Sequence, residues 1–180
     1  MSLPAGPRVG LRPVTAADLD VFVARAGASA AMYEGFVSMP TTAAGFHRYL
    51  GRFDGVAAIG LVLTLHRTGE LAGFINITRV ERRSLACASI GFGGFEETSG
   101  HRYVEEGVLL VVRYAFGELG LDRLEADVQP GNVASRQVVV RAGFRPPDEG
   151  SERVRIRVGG EWRDHERWAI MADGGRLTDI

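Results

Sequence analysis

The chain has no lysine; all 21 of its basic residues are arginine. That excludes Schiff-base chemistry, a Walker-type phosphate lysine and any catalytic lysine. A lysine-free chain rich in alanine, glycine and arginine reads as a base-composition effect rather than a functional device. Cys87 is the only cysteine, which excludes an intramolecular disulfide and a CxxC metal site. His47, His66, His101 and His165 share no metal-ligand spacing, so no metal is expected. No stretch approaches membrane-spanning length, and the N-terminus lacks a basic segment followed by an apolar run. The net charge of −1 sets up no global field toward nucleic acid or an anionic membrane. The expectation is a cytoplasmic enzyme or binder with no direct nucleic-acid or membrane partner.

What is present is ordinary in bulk and informative in order. With 180 residues, 46% hydrophobic and 24% charged, the chain fits one domain over residues 1–180. The most telling stretch is Leu124 to Arg145, LEADVQPGNVASRQVVVRAGFR. It reads as a buried strand (Leu124 to Val128), a turn at Gln129-Pro130-Gly131-Asn132, and a helix. Asn132 suits the N-cap, and Val133, Val138, Val139 and Ala142 fall on one helical face. Gly143 suits the left-handed position after the helix, with Phe144 docking on the core.

Upstream, Val9 to Val14 predicts a strand, and Thr15 to Asp18 has capping-box spacing ahead of a helix from Leu19 to about Ala26. Residues 27–40 read as irregular or as a short helical turn. Thr41 or Thr42 caps a second helix to about Arg52, with Phe46, Tyr49, Leu50 and Phe53 as its stripe. Three strands follow (Ala57 to His66, Leu71 to Arg79, Leu85 to Phe92), their continuous apolar runs fitting coverage on both faces. Gly91 to Gly94 and Thr98 to Arg102 read as a glycine-containing loop before a helix over about Arg102 to Leu119. That helix would bury Val104, Val108, Val111, Val112, Ala115 and Leu119. A hairpin of Arg153 to Val158 and Trp162 to Met171 turns at Gly159-Gly160. The order βαα-βββ-α-β-α-ββ predicts an α/β (α+β) fold: a mixed, mostly antiparallel central sheet flanked by helices, with one right-handed crossover.

The N-x-x-S helix start and x-G-F exit of that stretch resemble the second half of the acyl-CoA-binding unit of the GNAT N-acetyltransferases. Three further pieces resemble the RimJ/RimL-type ribosomal-protein N-terminal acetyltransferases. They are Gly73-Phe74-Ile75 with Ala88-Ser89-Ile90-Gly91-Phe92, Tyr114 to Leu121, and Gly160-Glu-Trp-Arg-Asp-His165. The resemblance implies the GNAT fold and transfer of an acetyl group from acetyl-CoA to a primary amine. It places an acyl-carbonyl donor around Phe92, Gly93 and Gly94 and the CoA diphosphate at Ser99, Gly100, His101, Arg102, Tyr103 and Val104. There a helix N-terminus offers free N–H groups and its positive dipole end. It also implies Asn132 as a pantetheine contact, Ser135 as the proton donor to the departing thiolate, and Arg136 as a phosphate partner. A plain N-cap, a serine bonded back to a carbonyl, and an exposed helix arginine are the structural readings of the same three residues.

Three positions depart from the family pattern. Arg102 stands where a glycine lets phosphate approach the backbone, and Val104 replaces a small residue. Gly100 can supply the lost flexibility, and the Arg102 guanidinium can itself meet a phosphate. Ser89 stands where many RimL-like relatives carry a carboxylate base. Water, Glu96, Glu97 or His101 is then left to take the proton, the last three reading equally as solvated loop residues.

Cys87 reads as core. Asp164 is placed to fix the tautomer of His165. Arg153, Arg155 and Arg157 make one face of a strand basic, either a charge-protected edge or a rim for an acidic substrate. Tyr33, Phe36, Phe46 and Tyr49 read as core, with some of them forming an acceptor wall. The expected acceptor is a peptide N-terminus, with a small-molecule amine as the enzymatic alternative and a non-catalytic acyl-CoA sensor as the rival class. A homodimer stays open.

Overall fold

The computed structural model describes residues 3–82, 86–148 and 153–172. Its centre is a seven-stranded sheet made of β1 (Val9–Pro13), β2 (Ile59–Leu65), β3 (Leu71–Glu81), β4 (Cys87–Gly94), β5 (Arg123–Val128), β6 (Val154–Val158) and β7 (Glu161–Met171). The spatial order is β1-β2-β3-β4-β5-β7-β6. Every neighbouring pair is antiparallel except β4 and β5. The strand expected from Leu85 begins at Cys87, and residue 85 lies outside the described residues. Its other end corrects the sequence reading. Gly91 to Gly94 are not loop but the last four residues of β4, because β3 pairs with them through Gly73.

Among the described residues five α-helices flank the sheet: α1 (Leu19–Ala28), α2 (Ala30–Tyr33), α3 (Ala43–Leu50), α4 (Tyr103–Gly117) and α5 (Val133–Arg141). The expected capping box is present, the Asp18 carboxylate accepting from the Thr15 N–H at 2.8 Å. Thr42 caps α3, its hydroxyl accepting from Gly45 N–H at 3.1 Å. Where α4 crosses the sheet, Gly107 is needed, since a Cβ there would collide with the Leu63 side chain. α5 ends as expected, with Gly143 at φ +88° and Phe144 buried. One expectation fails on this helix. Val133 is exposed rather than part of its apolar face, because only Val138, Val139 and Ala142 turn toward the core.

Strand alternation divides the core between the two faces. Ala88, Ile90, Leu124, Ala126, Val128 and Trp168 pack with α4 and α5 in one apolar cluster. Val62, Phe74 and Phe95 pack with α1 and α3 on the other side. That second cluster centres on Phe22, fully buried, with ring centroids 5.3 Å from Phe46, 5.4 Å from Tyr49, 5.9 Å from Phe74 and 5.4 Å from Phe95. Phe22→Ala should cost about 3–5 kcal/mol, because the void sits among four rings that cannot all collapse into it. Urea unfolding followed by circular dichroism checks this; a loss under about 1 kcal/mol would mean that the cluster repacks.

Candidate active site

β4 and β5 pair only from Cys87↔Arg123 to Ile90↔Ala126. Beyond that point β4 continues beside β3 to Gly94, while β5 continues beside β7 through Asp127↔Arg167 and Val128↔Glu166. The parallel strands therefore diverge and open a gap at their carboxyl ends. The direction of the backbone groups along its wall follows from pairing. Phe95 N–H donates to Ala72 O at 3.3 Å, and the register carries that pattern back to Gly93 and Gly91. The alternate residues, Phe92 and Gly94, thus turn their N–H and C=O away from β3 and toward the gap. Such a wall can pair with an extended amide-bearing chain and can offer N–H donors to a developing oxyanion.

Two helices begin at this end of the sheet. α4 starts after a loop in which Gly100 (φ +77°) and Arg102 (φ +61°) both adopt left-handed backbone. Arg102 thus reproduces with a side chain the conformation that a glycine takes freely. Its guanidinium grips Glu105, Nη2 donating at 2.6 Å and Nε at 3.0 Å. Arg141 from α5 donates to the same carboxylate at 3.1 Å. Val104 packs against Gly94, which joins the start of α4 to the end of β4. His101 stacks on Tyr103 with centroids 5.3 Å apart, and Ser99 and Gly100 complete the loop.

Arg8, which sequence reasoning missed, holds this loop from β1's side. It donates to His101 O at 2.9 Å, lies over the Tyr103 ring at 5.2 Å, and donates through Nε to Glu106 at 2.7 Å. Glu106 also accepts from the N–H groups of Arg8 and Val9, at 2.8 and 3.1 Å. Both first-turn carboxylates of α4 are therefore occupied by cations or amides, which leaves the helix's own leading N–H groups as the anion-facing feature. No motif marks Arg8 in the sequence; a single arginine ahead of a strand carries no signal.

α5 starts at Asn132, whose side chain accepts from Ser135 N–H at 3.0 Å. The Ser135 hydroxyl makes no hydrogen bond among the described residues, so it is not spent on a helix carbonyl. Arg136 is drawn elsewhere. It lies over Trp168 at 5.8 Å, 3.9 Å from the Glu166 carboxylate, and donates to Pro130 O at 3.4 Å. These contacts lay the Arg136 side chain against β7.

On the sheet face opposite α4 and α5, Ser89 is buried and accepts from Arg79 Nη2 at 2.6 Å and Nε at 3.1 Å. Arg79 has φ +55° at a register shift in β3, and it also donates to Asp127 at 3.0 Å. Arg167 grips Asp127 from β7 at 2.8 and 3.1 Å. A guanidinium thus sits against the Ser89 hydroxyl. Glu97 pairs with Arg25 at 3.1 Å, and Glu96 lies with it beyond the end of β4; neither approaches Ser89.

The expectation for His165 needs correcting. His165 Nδ1 bonds Arg163 O at 2.9 Å, not Asp164, because adjacent strand residues point to opposite faces. Arg155 shares a face with Asp164 and Trp162, 3.6 Å from the carboxylate and 5.9 Å from the ring. The basic face of β6 is therefore turned away from its apolar face. Val158, on the apolar face, lines a cavity of about 540 Å³ with Tyr33, Glu34, Val37, Met39 and Arg163. Among the described residues, no three His, Cys, Asp or Glu side chains group to hold a metal ion, and no helix is long and apolar enough to cross a membrane.

The family model described as "Acetyltransferase (GNAT) domain" matches residues 8–145, and the chain belongs to that family. It is 39% identical over 102 residues to "Probable N-acetyltransferase YjcK" of Bacillus subtilis, covering 57% of this chain and 55% of that protein. It is 25% identical over 127 residues to the "[Ribosomal protein uS5]-alanine N-acetyltransferase" of Escherichia coli, covering 63% of this chain and 64% of that protein. The chain thus matches less than two thirds of either relative's length. The structure of Mycobacterium smegmatis RimJ in complex with CoA-disulfide superposes with a TM-score of 0.84 at 24% identity, over 96% of this chain and 89% of that one. That likeness shows the same fold.

Glu106 gives the loop's stability a pH signature. Burial pushes its carboxyl up, but the Arg8 amide and guanidinium and the Val9 amide more than offset this, so it titrates below the ordinary range. A depressed carboxyl contributes stability above its unfolded pKa and loses it as pH falls through the folded value. Glu106→Gln should cost about 1–3 kcal/mol at pH 7, a deficit that shrinks below about pH 4. Urea titrations at several pH values test it, and a deficit independent of pH would contradict the assignment.

Proposed function

We propose that this chain transfers the acetyl group of acetyl-CoA to a primary amine, preferentially the α-amino group of a protein N-terminus. The observation that carries the reading is the β4/β5 gap, walled by the backbone of Phe92 and Gly94 and flanked by the starts of α4 and α5. The diphosphate is assigned to the leading N–H groups of α4 with the 99–104 loop. The pantetheine amides are assigned to the gap, with Asn132 at its far wall. The amine nitrogen attacks the thioester carbonyl carbon, a C–N bond forms, and the oxyanion is met by a β4 amide. The C–S bond then breaks, the nitrogen sheds its proton to water, and the Ser135 hydroxyl protonates the thiolate and is reprotonated from solvent.

The acceptor class follows from what lies at Ser89. With a serine held by Arg79 there, position 89 offers no carboxylate to draw a proton from an ammonium ion. An acceptor that supplies its own free base is favoured. At pH 7.5 about a third of α-amino groups are neutral, against about one lysine ε-amine in a thousand. That difference favours a chain terminus over a side-chain lysine or a polyamine. The uS5-alanine activity named for the Escherichia coli relative supports a small first residue, which the 540 Å³ cavity accommodates.

Calorimetry with acetyl-CoA and CoA, followed by thiol release with N-terminal peptides and small amines, tests the reading. Peptide-dependent thiol release is expected, with kcat/KM rising with pH through the acceptor's own pKa near 8. Binding without release across all acceptors would establish a sensing domain instead. Ser135→Ala should lower kcat about ten- to a hundredfold and leave the acetyl-CoA Kd within about twofold. An unchanged kcat at saturating substrates would return Ser135 to a helical role. Arg102→Gly should leave the CoA Kd within about threefold, since the guanidinium is held by Glu105 and glycine relieves the left-handed backbone. A loss beyond about tenfold would show that the side chain leaves Glu105 for a phosphate.

A further inference from the structure

At the mouth of the gap, one backbone carbonyl is already taken. The Gly94 C=O, turned away from β3, accepts a hydrogen bond from the Tyr33 hydroxyl. Tyr33 is the last residue of α2, is buried, and lines the 540 Å³ cavity. One side chain therefore touches both the cavity and the backbone wall of the gap. Burial pushes its phenol up to about 12, so it remains a donor throughout the working pH range.

The surroundings fit this contact closely. Gly93 leaves the room it needs, because a Cβ there would collide with the Tyr33 hydroxyl and the Phe74 ring. Ser29, four residues earlier, makes a second stitch to the same segment. Its hydroxyl accepts from Glu96 N–H at 2.9 Å and donates to Arg25 O at 2.7 Å. The peptide joining Gly94 to Phe95 is thus held at its oxygen by Tyr33 and at its nitrogen by Ala72 O. With both ends fixed, that plane sets the direction of the Gly94 carbonyl at the end of β4.

We propose that Tyr33 is a positioning residue that couples the acceptor cavity to the acyl end of the gap. Its ring is the surface on which the acceptor's first residue packs, and its hydroxyl holds the β4 terminus in the orientation that acyl transfer uses. Occupying the cavity tightens the hold, so a seated acceptor and an aligned amide wall occur together. The coupling rests on the acetyl-transfer reading, with the cavity as the acceptor site.

Tyr33→Phe keeps the ring and deletes the hold. Steady-state thiol release with acetyl-CoA and an alanine-initiated peptide should show kcat about tenfold lower, with acceptor KM and CoA Kd each within about twofold. Gly93→Ala, which displaces the hydroxyl, should lower kcat similarly, and Tyr33→Ala should in addition raise the acceptor KM. Amide hydrogen exchange over residues 92–95 reads the hold without turnover. Exchange should be faster in Tyr33→Phe, and the peptide should slow it in the wild-type protein but not in the variant. Wild-type kinetics and unaltered exchange in Tyr33→Phe would overturn the proposal, as would a kcat loss matched by an equal loss of CoA affinity. If the wild-type protein releases no thiol with any acceptor, the transfer reading fails on its own, and the exchange experiment still decides the role of Tyr33.

Discussion

The divergence of β4 from β5 is the constraint on which the rest of this structure depends. A sheet interior normally pairs every backbone group, and an unpaired group away from water costs about as much as a lost hydrogen bond. After Ile90 and Ala126 this chain leaves Phe92 and Gly94 facing a gap. The fork must be kept from zipping up or fraying. Below it, Arg79, Ser89, Asp127 and Arg167 bind β3, β4, β5 and β7 together across the face opposite α4 and α5. Above it, Val104 lies against Gly94 and Tyr33 takes its carbonyl. Clamped at both ends, the gap keeps its width, and its edge is open to an extended amide-bearing ligand.

Electrostatics at the start of α4 follow the same logic. Two carboxylates in the first turn suit the helix dipole, yet they would repel an anionic ligand. Here each is engaged by arginine from a different part of the chain: Glu105 by Arg102 and Arg141, Glu106 by Arg8. The dipole keeps its favourable acids while their charge is locally balanced. Arg102 contributes through Glu105 rather than by reaching outward, which gives a physical reason for a side chain at a left-handed position.

Much of this was legible in the sequence because it is local. Hydrophobic period, the Thr42 and Asn132 caps, and Gly143 each act within a few residues, and each element they mark is present. The family motifs at Ala88 to Phe92 and at Asn132 and Ser135 fall on β4 and at the start of α5. What escaped was long-range or set by strand parity. The extension of β4 through four residues, three of them glycine, depends on β3 lying alongside, which no local propensity encodes. The misreading of Asp164 with His165 came from treating neighbours in sequence as neighbours in space, although a strand separates them onto two faces. Arg8, Arg79 and Arg167 look like surface charge until the sheet order brings them to Glu106, Ser89 and Asp127.

The absence of lysine takes on meaning beside this site. Arg79 bridges Ser89 and Asp127 with one planar fork, Nε and Nη2 on the hydroxyl and Nη2 on the carboxylate. An ammonium is a point charge on a flexible stem and could not span both partners in a fixed plane. Lysine there would also place a nucleophilic amine on the sheet face from which the proposed acceptor approaches. An arginine-only chain presents no side-chain ε-amine that could compete with the acceptor for an acyl thioester. Whatever its origin in coding sequence, the use of arginine in place of lysine is compatible with amine acylation. The guanidinium, protonated at any working pH, stays a donor and is never an acceptor of the group being transferred.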